Sequence, residues 1–184
     1  MKERIEICLS GSGGQGLILA GIILAEAAGI FDKKEAVQTQ SYGPEARGGA
    51  SRSEVVISKD VIDYPKVMKS DILLALTQTA CDKYIKNLSD EGIIVADSDT
   101  VIQIPDVSND IYLYPITETA MKEIGTKLVT NIISLGIISG LTKIVSEEAI
   151  QKAVCSRVPK KAIEMNKKAL LLGFDIAKSI KKFK

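Results

Sequence analysis

The chain has 184 residues, with 24 Lys and Arg against 23 Asp and Glu, so its formal charge is +1. That balance provides no electrostatic footprint for nucleic acid or an anionic membrane, and neither is expected as a partner. Histidine is absent and only 4% of residues are aromatic, which removes the commonest general base, any Ser-His or Cys-His nucleophile pair, and a base-stacking platform.

The N-terminal MKERIEICLSG is interrupted too soon for a signal peptide, and a cytoplasmic location is expected. IEICLS (5–10) is a β-branched apolar run that breaks into GSGGQG (11–16) and then into LILAGIILAEAAG, rich in helix formers and ending at Gly29. This predicts strand, glycine turn, helix. EAVQTQSY (35–42) and SRSEVVIS (51–58) read as strands, and the SYGPEARGG segment between them is too short for a crossover helix, so they should pair antiparallel. DILLALT (71–77) has the continuous apolar character of a strand buried on both faces. QTACDKYIKNL follows as a helix, then GIIVADSD (92–99) and IYLYPIT (111–117) as strands.

From Glu118 the pattern is helical, through ETAMKEIG, KLVTNIISLGIISGLTKIV, SEEAIQKAVC and a last segment from Pro159 to Ser179. Ser146, with Glu147 and Glu148 after it, makes a good helix start. Asn131, Ser134, Ser139 and Thr142 interrupt the second of these, which is strongly apolar but falls short of the roughly 20 apolar residues of a membrane span. Gly136 and Gly140 form a small-xxx-small pair that admits another backbone, from this chain or from a partner. The expectation is one domain over 1–184: a three-layer α/β/α sandwich with a mixed, mostly parallel sheet, a Rossmann-like start and a helical C-terminal region. Cys8, Cys81 and Cys155 lie far apart without a C-x-x-C pair, and predict reduced thiols rather than a metal or cluster site.

Gly11, Gly13 and Gly16 fit G-x-G-x-x-G between a strand and a helix. Gly11, Ser12, Gly13, Gly14, Gln15 and Gly16 are therefore candidate cofactor-binding residues, whose bare backbone amides can hold an anionic group while the Ser12 and Gln15 side chains add hydrogen bonds to it. A dinucleotide site also needs an acid at the end of the second strand, and Asp32 and Glu35 lie before that strand or at its start. An anion-binding or interface turn, a bound NAD or FAD, and a purely structural turn all stay open. If the apolar strands are parallel, GSGGQG, Thr77-Gln78 and Asp97-Ser98 share one rim, which the SYGPEARGG segment also reaches. Ser41, Tyr42, Gly43, Pro44, Glu45, Arg47, Gly48, Gly49 and Gln78 are the candidate rim residues. Glu45 and Arg47 either neutralise each other in solvent or present a guanidinium fork to a carboxylate, phosphate or carbonyl cluster.

GSGGQG (11–16), VQTQSYGPEARGGASRSEVVIS (37–58), ALTQTACDKY (75–84) and RVPKKAIEMNKKALLLG (157–173) closely resemble the gamma subunit of 2-oxoacid:ferredoxin (acceptor) oxidoreductases, most like the 2-oxoglutarate branch. The likeness covers essentially the whole chain, and the long middle block carries most of its specificity. Pyruvate-type gamma subunits tend to have Phe-Gly-Pro-Glu-Arg-Arg-Gly where this chain has Tyr42-Gly43-Pro44-Glu45-Ala46-Arg47-Gly48. The resemblance implies a multi-subunit enzyme that decarboxylates a 2-oxoacid on thiamine diphosphate, forms an acyl-CoA, and sends electrons through iron-sulfur clusters to ferredoxin or a flavodoxin-type acceptor.

In that family thiamine diphosphate, Mg and the clusters belong to the alpha, beta and, where present, ferredoxin-like delta subunits, with CoA as co-substrate. No catalytic residue, metal or cofactor is then expected on this chain alone, whose part is to assemble the complex and shape the CoA-side rim. Two other readings remain: a stand-alone nucleotide or acyl-CoA binding module, and an indolepyruvate oxidoreductase beta subunit. A homodimer of the isolated chain is a further expectation, with the surface around Gly136 and Gly140 as its suspected seat.

Overall fold

The computed structural model describes residues 3–40, 50–104 and 106–183. Their strands are β1 (Arg4–Ser12), β2 (Glu35–Gln40), β3 (Ala50–Ser58), β4 (Ser70–Ala75), β5 (Leu88–Asp97) and β6 (Asp110–Tyr114). They form a sheet in the order β2-β3-β1-β4-β5-β6. β1, β4, β5 and β6 run parallel, while β3 lies antiparallel to both β1 and β2. The expected mixed, mostly parallel sheet and the antiparallel β2–β3 pair are both present.

Alternation along each strand separates two cores. Ile7 and Leu9 of β1, Ile72 and Leu74 of β4, and Val95 of β5 face one side. That side is covered by α1 (Leu17–Glu26), α4 (Thr130–Thr142), α5 (Glu147–Arg157) and α6 (Ile163–Ser179). Cys8, Leu73, Ala75, Ile94 and Ala96 face the other side, against α2 (Gln78–Tyr84). β1, β4 and β5 are thus buried on both faces, which is why their sequences are continuous apolar runs. Short α3 (Ile116–Thr119) joins the first core through Ile116.

Boundaries differ from the sequence reading where tertiary contacts override local pattern. The first helix does not stop at Gly29 but runs on through a wider turn, Ala27–Phe31. Chain reversal falls instead to Lys33, in the left-handed region at φ 58°. Asp32 then accepts hydrogen bonds from the Ser146 amide and hydroxyl at 2.7 and 2.6 Å, while the Ser146 hydroxyl caps the Ala149 amide of α5 at 3.1 Å. β4 ends at Ala75, two residues before the expected Thr77, because Leu76 and Thr77 turn into α2. β5 starts at Leu88, with a register shift against β4.

Gly136 and Gly140 face α6. A side chain at Gly136 would meet the Leu170 carbonyl and the Gly173 backbone, and one at Gly140 would meet Ala177. Helices α4 and α6 therefore approach at backbone distance inside this chain, and these glycines are not an exposed seat for a second copy. Ser134 and Thr142 turn back onto the carbonyls of Thr130 and Ile138 at 2.8 and 2.7 Å, satisfying their hydroxyls inside the apolar helix. No helix among the described residues is long and apolar enough to cross a membrane.

Candidate functional site

The glycine turn, the β4–α2 junction and the end of β5 meet at the carboxyl ends of the parallel strands, as the sequence predicted. Gly11 and Ser12 are still strand, paired with Ser51 and Ala50 of β3. Gly14 and Gly16 have φ of 87° and 71°, so each occupies a conformation that costs a side-chain-bearing residue about 1–2 kcal/mol. Ser12, Gly13 and Gly14 are exposed, and no side chain caps the start of α1.

Gln15 folds back over this turn. Its Oε1 accepts the Ser12 amide at 2.7 Å and its Nε2 donates to the Leu76 carbonyl at 3.4 Å. That folded carboxamide fills the space a side chain at Gly11 would take. The Ser12 amide is thus engaged internally, as is the Gln15 amide, which donates to the Ser12 carbonyl at 3.4 Å, and the Gln15 side chain serves the turn itself. Leu76 is a junction for the rim: its amide donates to Ser10 O at 2.9 Å, and its carbonyl also accepts from Thr100 Oγ1 at 3.0 Å.

Gln78 stands at the first position of α2, after the Thr77 cap. Its Oε1 accepts the Ile102 and Gln103 amides at 3.0 and 2.9 Å, and its Nε2 donates to Asp82 and to the Gln103 carbonyl, both at 2.8 Å. It therefore shapes the rim by holding the segment after β5. Asp97 is brought to the same end but is buried. Its carboxylate accepts from the Asp99, Ile116 and Thr117 amides at 3.2, 3.1 and 3.1 Å and from the Thr117 hydroxyl at 2.5 Å. It is the anion at the start of α3, supplied by the chain itself. Burial pushes its pKa up, against the opposing hydrogen bonds from Thr117 and Asp99.

Two further residues organise the rim. Asn131 Nδ2 donates to the Gly16 carbonyl at 3.0 Å and ties α4 to the turn. Its signal in sequence was an amide inside an apolar helix. The Tyr84 hydroxyl donates to the Ala50 carbonyl at 3.0 Å, with Arg52 over its ring at 5.2 Å, and so fixes the residue at which β3 begins beside Ser12. A tyrosine within a helical pattern carried no mark of that role.

The rim also exposes apolar surface. Ile102, after β5, is 79% exposed and Leu128, before α4, is 77% exposed. Ser41, Tyr42, Gly43, Pro44, Glu45, Arg47, Gly48 and Gly49 lie outside the described residues. Among the described residues no group of His, Cys, Asp and Glu side chains has the arrangement of a metal site. Burial raises the Cys8 thiol to about 12 and the Cys81 thiol to about 11, so both stay protonated at neutral pH. This end of the sheet thus carries an exposed small-residue turn, with exposed Ile102 on the segment held by Gln78 and exposed Leu128 just before the helix that Asn131 ties to Gly16.

The sequence profile of the pyruvate ferredoxin/flavodoxin oxidoreductase family matches residues 6–176. A 2-oxoglutarate synthase subunit KorC from Methanocaldococcus jannaschii is 51% identical over 98% of this chain and 97% of its own. A ketoisovalerate oxidoreductase subunit VorA from Methanothermobacter thermautotrophicus is 34% identical over 95% of this chain but only 37% of its own length. Among solved structures, the gamma subunit of a keto/oxoacid ferredoxin oxidoreductase from Geobacter sulfurreducens superposes with a TM-score of 0.87 at 51% identity, over 95% of this chain and 99% of that one.

Proposed function

The chain belongs to the pyruvate ferredoxin/flavodoxin oxidoreductase family, and on that premise we propose that it is the gamma subunit of a cytoplasmic 2-oxoglutarate oxidoreductase complex. In the reaction the 2-oxoacid loses CO2, its acyl carbon passes to the CoA thiol, and two electrons leave to a ferredoxin- or flavodoxin-type acceptor. Thiamine diphosphate, Mg and iron-sulfur clusters reside on alpha, beta or delta partner subunits. The observation that carries the reading is the near full-length identity to a 2-oxoglutarate synthase subunit.

This chain's part is to dock on the catalytic subunits through its glycine rim. Two features support that role: Ile102 and Leu128 present apolar side chains to water, and the glycine turn is small and exposed. In the VorA relative the matching region is about a third of a longer polypeptide, which suits a domain that works against another one. Arg47, between Ala46 and Gly48, is the charged anchor of the docking segment, and the amides from Gly13 to Gly16 contact a CoA phosphate.

The test is purification of the complex from its native source, followed by substrate-dependent acceptor reduction. The expected result is co-purification with subunits carrying thiamine diphosphate and clusters, and faster reduction with 2-oxoglutarate than with pyruvate or indolepyruvate. Arg47→Ala should weaken assembly or raise the apparent CoA requirement. Turnover of a 2-oxoacid by the isolated chain, or a redox centre held by it, would overturn the reading.

A further inference from the structure

The described sheet ends in β2 on one side and β6 on the other, and the two edge strands differ in kind. β2 reads EAVQTQ, a mostly polar strand that gives an incoming strand little to bury against. β6 reads DIYLY, aliphatic and aromatic after its first residue, and Pro115 follows it. A run of that kind on an edge recruits strands from other molecules unless something covers it. Main-chain groups alternate sides along a strand. The Tyr114 carbonyl accepts the Ser98 amide at 2.9 Å on the β5 side, which turns the groups of Ile111 and Leu113 outward.

Residues that follow α6 lie on that outward edge. Ile180 leaves the helix with φ −64° and ψ 132°, an extended backbone, and its side chain packs against the first core. Three residues on, the Phe183 amide donates to the Ile111 carbonyl at 2.7 Å, and Lys182 Nζ pairs with Asp110 at 2.5 Å. The segment is thus held by the core at one end and by β6 at the other. Phe183 is 60% exposed, so its hold on the edge is through its amide and not through burial of its ring. Lys181 and Lys182 set two charges beside β6, which an incoming strand would have to strip of water.

We propose that residues 180–183 are a strap that closes the β6 edge and stops strands of other molecules from adding to the sheet. The strap acts within one chain, so its test does not depend on which complex the chain joins.

Two variants of the full chain lift the strap by different routes. F183P removes the amide hydrogen, and K182D sets a second carboxylate against Asp110. Both positions are exposed, so both variants should keep the circular dichroism of the wild type, yet aggregate about 10-fold faster or more, with a rise in thioflavin T fluorescence. D110K/K182D restores opposite charges and should return to the wild-type rate. In aggregates of F183P the outward Leu113 amide should become protected from hydrogen exchange. The wild type supplies a readout that no variant's folding can affect: its Phe183 amide should exchange about 10-fold more slowly than those of Lys181 and Lys182. Aggregation of both variants at the wild-type rate, a charge swap that restores nothing, aggregates in which Leu113 stays unprotected, or a Phe183 amide as fast as its neighbours would each overturn the proposal.

Discussion

The carboxamide oxygen of Gln15 accepts the Ser12 amide hydrogen at 2.7 Å, and in that position it fills the space above Gly11. The first glycine of the motif is therefore required by a side chain four residues later in the same turn. Gln15→Ala removes this bond and the one to Leu76, and should lower stability by about 1–2 kcal/mol, or Tm by about 2–8 °C. Gly11→Ala should be costly in the wild type and cheaper once Gln15 is Ala, with a coupling of about 1 kcal/mol in a double-mutant cycle. Additive effects would show that the two positions do not share this space.

The buried Asp97 carboxylate should give stability a pH dependence. Its pKa is raised in the folded state, so its contribution is complete below the ordinary carboxylate pKa and is lost as pH rises through the raised value. Glu54 is shifted in the same direction by burial, with Arg52 opposing, and adds to the slope. Asp97→Asn should flatten this dependence in urea titrations across the acidic range. It should also cost about 1–3 kcal/mol at neutral pH, because an amide NH2 group would face the Ile116 or Thr117 donors. An unchanged slope would remove Asp97 as its source.

Glycine substitutions should rank by what surrounds them. Gly173→Ala drives a methyl into the Ile133 carbonyl and the Gly136 backbone, with no flexible side chain to yield, and should cost about 1–3 kcal/mol or more. Gly14→Ala meets open space and carries only the strain of its φ of 87°, about 1–2 kcal/mol. Thermal melts of the two variants should therefore show the larger loss at Gly173.

Tyr84→Phe keeps the ring that Arg52 covers but leaves the Ala50 carbonyl without its hydroxyl donor. The expected loss is about 1 kcal/mol. Hydrogen exchange should quicken first at Arg52 and its neighbours at the start of β3, while β4 and β5 keep their protection. Uniform loosening of the whole sheet would mean that Tyr84 is a general core residue rather than the clamp on this strand end.

The antiparallel β2–β3 pair and the meeting of Gly11–Gly16 with Gln78 at one rim were legible because apolar runs and glycines are local signals, whereas the strand order around β1 came from the folded chain. The roles of the rim residues were less so. Gln15 and Gln78 read as groups offered to a ligand or partner, whereas their carboxamides hold Ser12, Leu76, Ile102 and Gln103. A side chain's spare hydrogen-bonding capacity depends on which backbone atoms lie beside it, and those arrive from up to dozens of residues away. The segment from Ser41 to Gly49, part of the long middle block that carries most of the resemblance's specificity, lies outside the described residues, and its role rests on the sequence.

Composition and short-range pattern were enough to determine the α/β class and the turn after the first strand, since each depends on residue types at fixed spacing, while the family rested on the resemblance of whole sequence blocks. Only the folded chain decided that Gly136 and Gly140 receive α6 rather than another molecule, that Asp97 caps α3, and that Val61, Tyr64 and Met68 face water. Those outcomes depend on which distant surfaces are brought together, and spacing along a chain does not encode which partner a small residue or a buried carboxylate will meet.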